Sequence, residues 1–249
     1  MGSRRHLKRL AVPGFWPLLR KEAKWAVKPA PGPHPISRAL PLLMIVRDIM
    51  GYAKTYREAR RLIAEGHFKI DGRVRRDYKF PVGLMDTIEV VDTGEFFRVV
   101  PVPVKIMTLV PISKDEASFK LCRIENKTTL RGGRFQLNLH DGKNVVVDPD
   151  EAKKLTTMSV VKVSIPDYKL LGHIPLDRGV LVAVIGGMNT GRVGRVVSIS
   201  EGMRHYRKLV LIEDISGGNF YTSLDKVLAV GVEKPEIALP VTMVLGGLK

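Results

Sequence analysis

From residue 106 to residue 230 the apolar residues come in short runs of strand length, and this feature limits the available folds more than any other. The runs are Ile106 to Val110, Lys120 to Ile124, Phe135 to Leu139, Val145 to Val147 and Val160 to Ile165, then Val180 to Ile185, Val193 to Ile199, Lys208 to Ile212, Asn219 to Ser223 and Val227 to Val230. Polar or glycine-rich turns separate them, as expected of antiparallel strands. Almost everything beyond Ile106 should therefore be β, divided into a small central β domain (106–172) and a second β module (173–249).

Residues 41–105 carry a different pattern. Pro41 suits a first helical turn, Leu42, Ile45, Val46 and Ile49 recur at helical spacing, and Gly51 supplies a left-handed stop. A second helix is marked by Thr55 and Glu58 as a capping box, by an apolar face of Tyr56, Ala59, Leu62 and Ile63, and by Gly66 at its end. Arg57, Arg60 and Arg61 then share its outer face. Phe68 and Ile70 lead into Asp71-Gly72 and Val74, a hairpin signal, with Lys69, Arg73, Arg75 and Arg76 crowding the turn. Strands follow at Thr87 to Val91 and Phe96 to Val100, and Pro101-Val102-Pro103 marks a boundary. The fold class is α+β, multidomain.

Residues 1–40 end in Pro29-Ala30-Pro31-Gly32-Pro33-His34-Pro35, a proline density that opposes helices and sheet ladders. Phe15, Trp16 and Trp25 are interleaved with Arg4, Arg5, His6, Lys8, Arg9 and Lys24. An extended basic arm that gains order when phosphates neutralise its charge fits this composition better than a plain linker.

Charge sharpens the argument. The chain of 249 residues has a formal charge of +16, and residues 1–80 hold 19 Lys and Arg against 6 Asp and Glu, so 19 − 6 = +13 lies in this third. A polyanionic partner is implied. No secretory signal is expected, because Pro13, Trp16 and Pro17 interrupt the N-terminal region, and no apolar run approaches the roughly 18 residues of a membrane span. The single cysteine, Cys122, excludes an internal disulfide and reads as a buried strand residue. The six histidines, at 6, 34, 67, 140, 173 and 205, are scattered without metal-ligand spacing, so neither a metal nor a cofactor is expected. The Asn126-Lys127-Thr128 sequon is read as accidental.

Three motifs select RNA as the polyanion. Thr55 to Val74 resembles the S4 RNA-binding domain, the alpha-L motif, in its Ala-Arg, Ile, Gly and Asp-Gly spacing, and Gly83, Asp86 and Ile88 continue the pattern. That resemblance implies RNA contacts by Arg60 and, around it, Arg57, Arg61, Lys69, Arg73 and Arg76; Arg75 belongs to the same cluster. Val182 to Val196 resembles the KOW motif of an SH3-like β-barrel, with Gly187, Gly191 and Gly194 permitting positive φ and Asn189, Thr190 and Arg192 expected at an exposed loop tip. The same string is a near miss for a phosphate-binding P-loop, but Arg192 and Val193 stand where Lys and Ser/Thr are required. Finally, His6 to Leu18 resembles the opening of the "e"-type family of small-subunit ribosomal protein four, found in archaea and eukaryotes.

Arm, S4 domain, central β domain and KOW module occur in that family's order, and the short ends favour its archaeal form. The resemblance implies a non-enzymatic constituent of the small ribosomal subunit, cytoplasmic in the ribosome. Its partners would be ribosomal RNA of the small subunit and neighbouring ribosomal proteins, with neither DNA nor membrane. Trp16 and Trp25 would stack or pack along the RNA. Two alternatives explain less. A pseudouridine synthase would need more than Leu176-Asp177-Arg178, where Asp177 reads as the start of a turn. A KOW transcription factor leaves the S4 pattern and the N-terminal signature unexplained.

Overall fold

The computed structural model describes residues 6–19, 21–103, 107–201, 208–214 and 217–239, and every structural statement concerns these. Its frame is three five-stranded antiparallel sheets in chain order. In the first, the strands run Arg73–Val74, Phe68–Ile70, Thr87–Val90, Glu95–Val100 and Thr108–Ile112. The second runs Asn144–Val147, Phe135–Leu139, Phe119–Thr129, Val160–Ser164 and Leu170–Ile174. The third runs Asn219–Ser223, Leu209–Asp214, Val193–Ser200, Leu181–Val184 and Val227–Gly231.

Two helical pieces cover the first sheet. Leu42–Met44 is α-helical and continues as a π-helical turn over Ile45–Ile49. Leu42 to Val46 are all buried, so this segment is embedded on every side rather than along one stripe. The reason is the arm: Val12 and Trp16 belong to the same core as Leu42, Ile63, Phe68 and Ile88. Tyr56–Glu65 is the second helix. The Thr55 side chain accepts from Glu58 N–H, Glu58 reaches back to Thr55 N–H at 3.1 Å, and Gly66 closes the helix at φ +96°. Ala59 and Ile63 face inward.

The arm departs from the extended form expected of it. Leu7–Lys8 pairs with Trp25–Ala26, and the turn between them is held by Arg9, whose Nε donates to Leu18 O at 3.0 Å. The dense prolines of residues 29–35 form no ladder, whereas Leu7–Lys8 and Trp25–Ala26 contain no proline. Trp16, expected beside RNA, is 2% exposed and donates its indole N–H to Ala39 O at 3.1 Å. It packs, and it cannot offer a ring face to a base.

Three boundaries also shift. Ala39–Pro41 pairs with Pro81–Gly83, so the chain joins the S4 region before residue 41. Thr108–Ile112 pairs with Glu95–Val100 and completes the first sheet, although it lies beyond 105. Leu170–Ile174 pairs with Val160–Ser164 across the 172/173 division. Its spacing is too mixed for an apolar run, since Leu171 points to solvent and Gly172 and His173 interrupt it. Short helices at Lys114–Ala117 and Pro149–Lys154 are further exceptions to the all-β expectation.

Candidate nucleic-acid interface

Arg57, Arg60 and Arg61 are exposed on the Tyr56–Glu65 helix, and Arg73 and Arg76 on the hairpin after it. Their surroundings separate them. Arg57, Arg73 and Arg76 have no ion-pair partner among the described residues. Arg60 lies over the Tyr78 ring, 5.3 Å from its centroid, which leaves its fork open. Arg61 is paired with Glu65 at 2.9 Å, and this pairing raises its pKa. Lys69 is half-buried and paired with Glu89 at 2.9 Å. Arg75 is half-buried with its guanidinium 4.4 Å from the Phe80 centroid. The helix and hairpin thus present four open guanidinium groups rather than seven cations.

The hairpin is rigidly placed. Asp71 and Gly72 take φ +49° and +71°, the mirror-image turn that suits strand twist. A side chain at Gly72 would lie 3.0 Å from Ile165, so the turn abuts the central domain. Fixed separation is what permits guanidinium groups to match phosphates, whose spacing along an RNA helix is regular.

In the arm, His6, Lys8, Lys24 and Trp25 are exposed, with Lys24 Nζ 5.5 Å from the Trp25 centroid. Arg9 is committed to the arm's own turn. Arg4 and Arg5 lie outside the described residues.

The glycine-rich loop corrects its expectation. Gly187 and Gly191 have φ +88° and +80°, but Gly194 lies in a strand at ordinary φ, and a Cβ there would meet Glu213 O at 2.2 Å. It serves close strand approach rather than a turn. Thr190 is buried, and its hydroxyl donates to Gly187 O at 2.6 Å. Arg192 is half-buried, its Nη2 2.7 Å from Asp214 and its guanidinium 4.4 Å from the Phe220 centroid. Asn189 is half-buried, with Nδ2 3.4 Å from Tyr221 O. The exposed tip is Met188. Gly191 abuts Val102 and Pro103 so closely that a Cβ would lie 2.3 Å from Pro103, which turns this loop toward the protein.

A group of charges that the motif reading does not bring together lies in the interior. Lys120 is fully buried in the Phe119–Thr129 strand. Its Nζ is hydrogen-bonded to Asp86, and lies 2.9 Å from Asp71 Oδ2 and 3.2 Å from Asp141 Oδ2. Asp86 also accepts from Gly83 N–H at 2.8 Å and pairs with His34 Nε2 at 3.0 Å, while Tyr168 O–H donates to Asp71 at 2.8 Å. Burial alone would raise the Asp86 carboxyl, but the charges of His34 and Lys120 outweigh it and hold the carboxyl far below the ordinary range. Burial alone would lower Lys120, and the three aspartates hold it well above its ordinary value. Burial pushes the Cys122 thiol up, Asp141 adding to the shift. Aspartates, histidines and a thiol resemble a metal set in composition, yet the Lys120 ammonium occupies their centre, and the described residues contain no group arranged to hold a metal.

This cluster joins arm (His34), S4 region (Asp71, Asp86) and central domain (Lys120, Asp141, Tyr168). Gly83 makes room for it, since a Cβ there would sit 2.3 Å from the His34 ring. Two other buried cations extend the junction. Arg98 donates to Phe119 O at 2.7 Å and pairs with Glu116 at 2.8 Å. Arg123 donates to Asp225 O at 2.8 Å and Val227 O at 3.0 Å, tying the central sheet to the third. The sequence does carry a trace of this: Lys120 and Arg123 interrupt an apolar run, where a charge must find partners.

Comparison with known proteins agrees with this organisation. Family models match residues 1–37 (RS4NT domain), 40–88 (S4 domain) and 93–170 (Ribosomal family S4e). Small ribosomal subunit protein eS4 of Staphylothermus marinus is 60% identical over 245 residues, covering 96% of this chain and 97% of the relative. The protein of the same name from Methanothermobacter thermautotrophicus is 45% identical over 240 residues, covering 96% and 98%. The crystal structure of 30S ribosomal protein S4e from Thermoplasma acidophilum superposes with a TM-score of 0.66 at 32% identity, covering 78% of this chain and 95% of that one.

Proposed function

The chain belongs to the ribosomal S4e family, and we propose that its RNA-binding face is the helix and hairpin bearing Arg57, Arg60, Arg73 and Arg76, flanked by His6, Lys8, Lys24 and Trp25 of the arm. It is a structural constituent of the small ribosomal subunit, binds ribosomal RNA and neighbouring ribosomal proteins, and is not an enzyme. Its place of work is the ribosome.

The observation that carries the assignment of the face is the contrast in pairing. Four arginines stand exposed without carboxylates on a braced scaffold, in the third of the chain that holds most of the net charge. Such groups bind phosphates by releasing counterions. Lys69, Arg61 and Arg75, each engaged within the protein, contribute less. The five-stranded C-terminal sheet is read as an SH3-like barrel with a KOW loop, supported by its antiparallel order and by the positive φ at Gly187 and Gly191. Its loop, packed on Val102 and Pro103, serves a protein contact. Four parts follow: arm, S4 domain, central β domain and KOW module.

Replacing Arg57, Arg60, Arg73 and Arg76 with Ala tests the face. Binding to small-subunit ribosomal RNA should weaken, and the plot of log K against log salt should flatten by about 0.7–0.9 per lost phosphate contact. An unchanged slope would remove these residues from the interface.

A further inference from the structure

Between the arm ladder and the S4 helices runs a groove of about 590 Å³. The arm contributes His6 and Trp25 to its walls, and the S4 region Arg47, Tyr56, Tyr78 and Lys79. The surface is aromatic and cationic together. Trp25 is 52% exposed, with its ring 5.5 Å from that of His6. Tyr56 meets Tyr78 edge to face at 5.7 Å, and over the Tyr78 ring lie Arg60, at 5.3 Å, and Lys79 Nζ, at 5.4 Å. Among the described residues, no carboxylate lines the groove. Arg47 is already paired with Asp48 at 2.7 Å; Lys28 and Lys79 are the other cations of the lining, and Arg60 stands beside it over the Tyr78 ring.

We propose that this groove captures one unpaired nucleotide of the bound RNA, its base stacked on Trp25 and its phosphate held by Lys79 and Arg60. The inference rests on the reading of the chain as an RNA-binding protein and adds a base-binding subsite to a face otherwise limited to phosphates. Every base has a π-face, so aromatic side chains hold unpaired bases with little regard to sequence, whereas bases in a duplex are already stacked. The volume lies within the roughly 300–1,000 Å³ of small-molecule sites. A lining with cations and no carboxylates selects an anion and disfavours an amine. The folded arm matters here, because it is the Leu7–Lys8 and Trp25–Ala26 ladder that places Trp25 opposite the S4 helices.

The chain has two tryptophans, and Trp16 is buried, so emission that responds to solute reports Trp25. The test titrates the full chain with a short single-stranded oligouridylate, with the same backbone carrying abasic sites, and with a poly-glutamate peptide. The expected result is quenching by the base-bearing strand and binding about tenfold weaker for the abasic strand. Read instead by the fluorescence anisotropy of a dye-labelled strand, Trp25→Ala should show the same loss with an unchanged melting temperature, and Trp25→Phe should recover most of it. Equal binding of the base-bearing and abasic strands would overturn the base subsite while leaving the phosphate face intact. Equal binding of poly-glutamate would show a general anion surface and likewise overturn it. Failure of the full chain to bind ribosomal RNA at all would instead remove the reading beneath it.

Discussion

The arginines of the S4 helix and hairpin and the cations of the interior are the same residue types in opposite circumstances. Arg57, Arg60, Arg73 and Arg76 are solvated and unpaired with carboxylates, so their removal takes little from the folded protein. Lys120 is sealed among Asp71, Asp86 and Asp141, and three carboxylates would remain behind if it were lost. A charge on the surface is available to a partner, and a charge in the core is a commitment to the fold. The second group holds the first in place: it fixes the hairpin through Asp71 and the arm through His34.

The sharpest way to break this contrast is Lys120→Met, which keeps the length of the side chain and removes the charge. Stability should fall by about 3–5 kcal/mol, the scale for a buried pair deprived of one partner, as measured by denaturant unfolding. A change below 1 kcal/mol, the ~0–1 kcal/mol scale of surface pairs, would mean that the cluster is not a true buried network. Next in size is Gly83→Ala, whose Cβ would collide with the His34 ring. A cost of about 1–3 kcal/mol is expected, with faster proteolysis inside residues 1–40 as the arm loses its anchor.

Acid should act on the same junction through His140. Its Nδ1 accepts from Arg123 N–H at 3.1 Å and its Nε2 faces Leu84 O at 3.3 Å, an arrangement that requires the neutral ring. Burial, assisted by Lys120, lowers its pKa to about 4 from an ordinary 6.5. Between those values the unfolded chain binds a proton that the folded chain excludes, so this stabilisation is complete above pH 6.5 and is lost as pH falls toward 4. Melting temperature should drop across that window, and His140→Asn should flatten the drop. Asp86 and Asp141 cannot produce it, since their depressed values leave them ionised throughout. Smallest in stability is the four-arginine variant. Each substitution should move unfolding by no more than about 0.5 kcal/mol while RNA binding weakens, and joint loss of both would merge the two classes of cation.

The S4 helix was legible because its signals are local. The Thr55 and Glu58 capping box, Gly66 and the Asp71-Gly72 turn depend on neighbours within a few residues, and each forms as read. The strand runs were legible for the same reason. The arm was misread at Trp16, because a tryptophan among prolines and arginines looks the same before burial as before stacking on RNA. Thr190 and Arg192 were misread because a glycine-rich loop signals a turn without saying what covers it. Asp71 was visible only as a turn residue of the motif, although it also carries half of a buried ion pair.

By itself, the sequence determined the strand and helix types, the concentration of charge in the first third and the class of partner, since periodicity, capping and net charge are properties of short stretches or of sums. The tertiary structure alone decided which cations stand exposed and unpaired, which lock the domains together, and that the arm folds back as a wall of the S4 domain. Those outcomes depend on contacts such as His34 with Asp86, 52 residues apart, and Lys120 with Asp71, 49 residues apart. No local pattern encodes them, because the desolvation that forces such pairing exists only after the chain has closed around it.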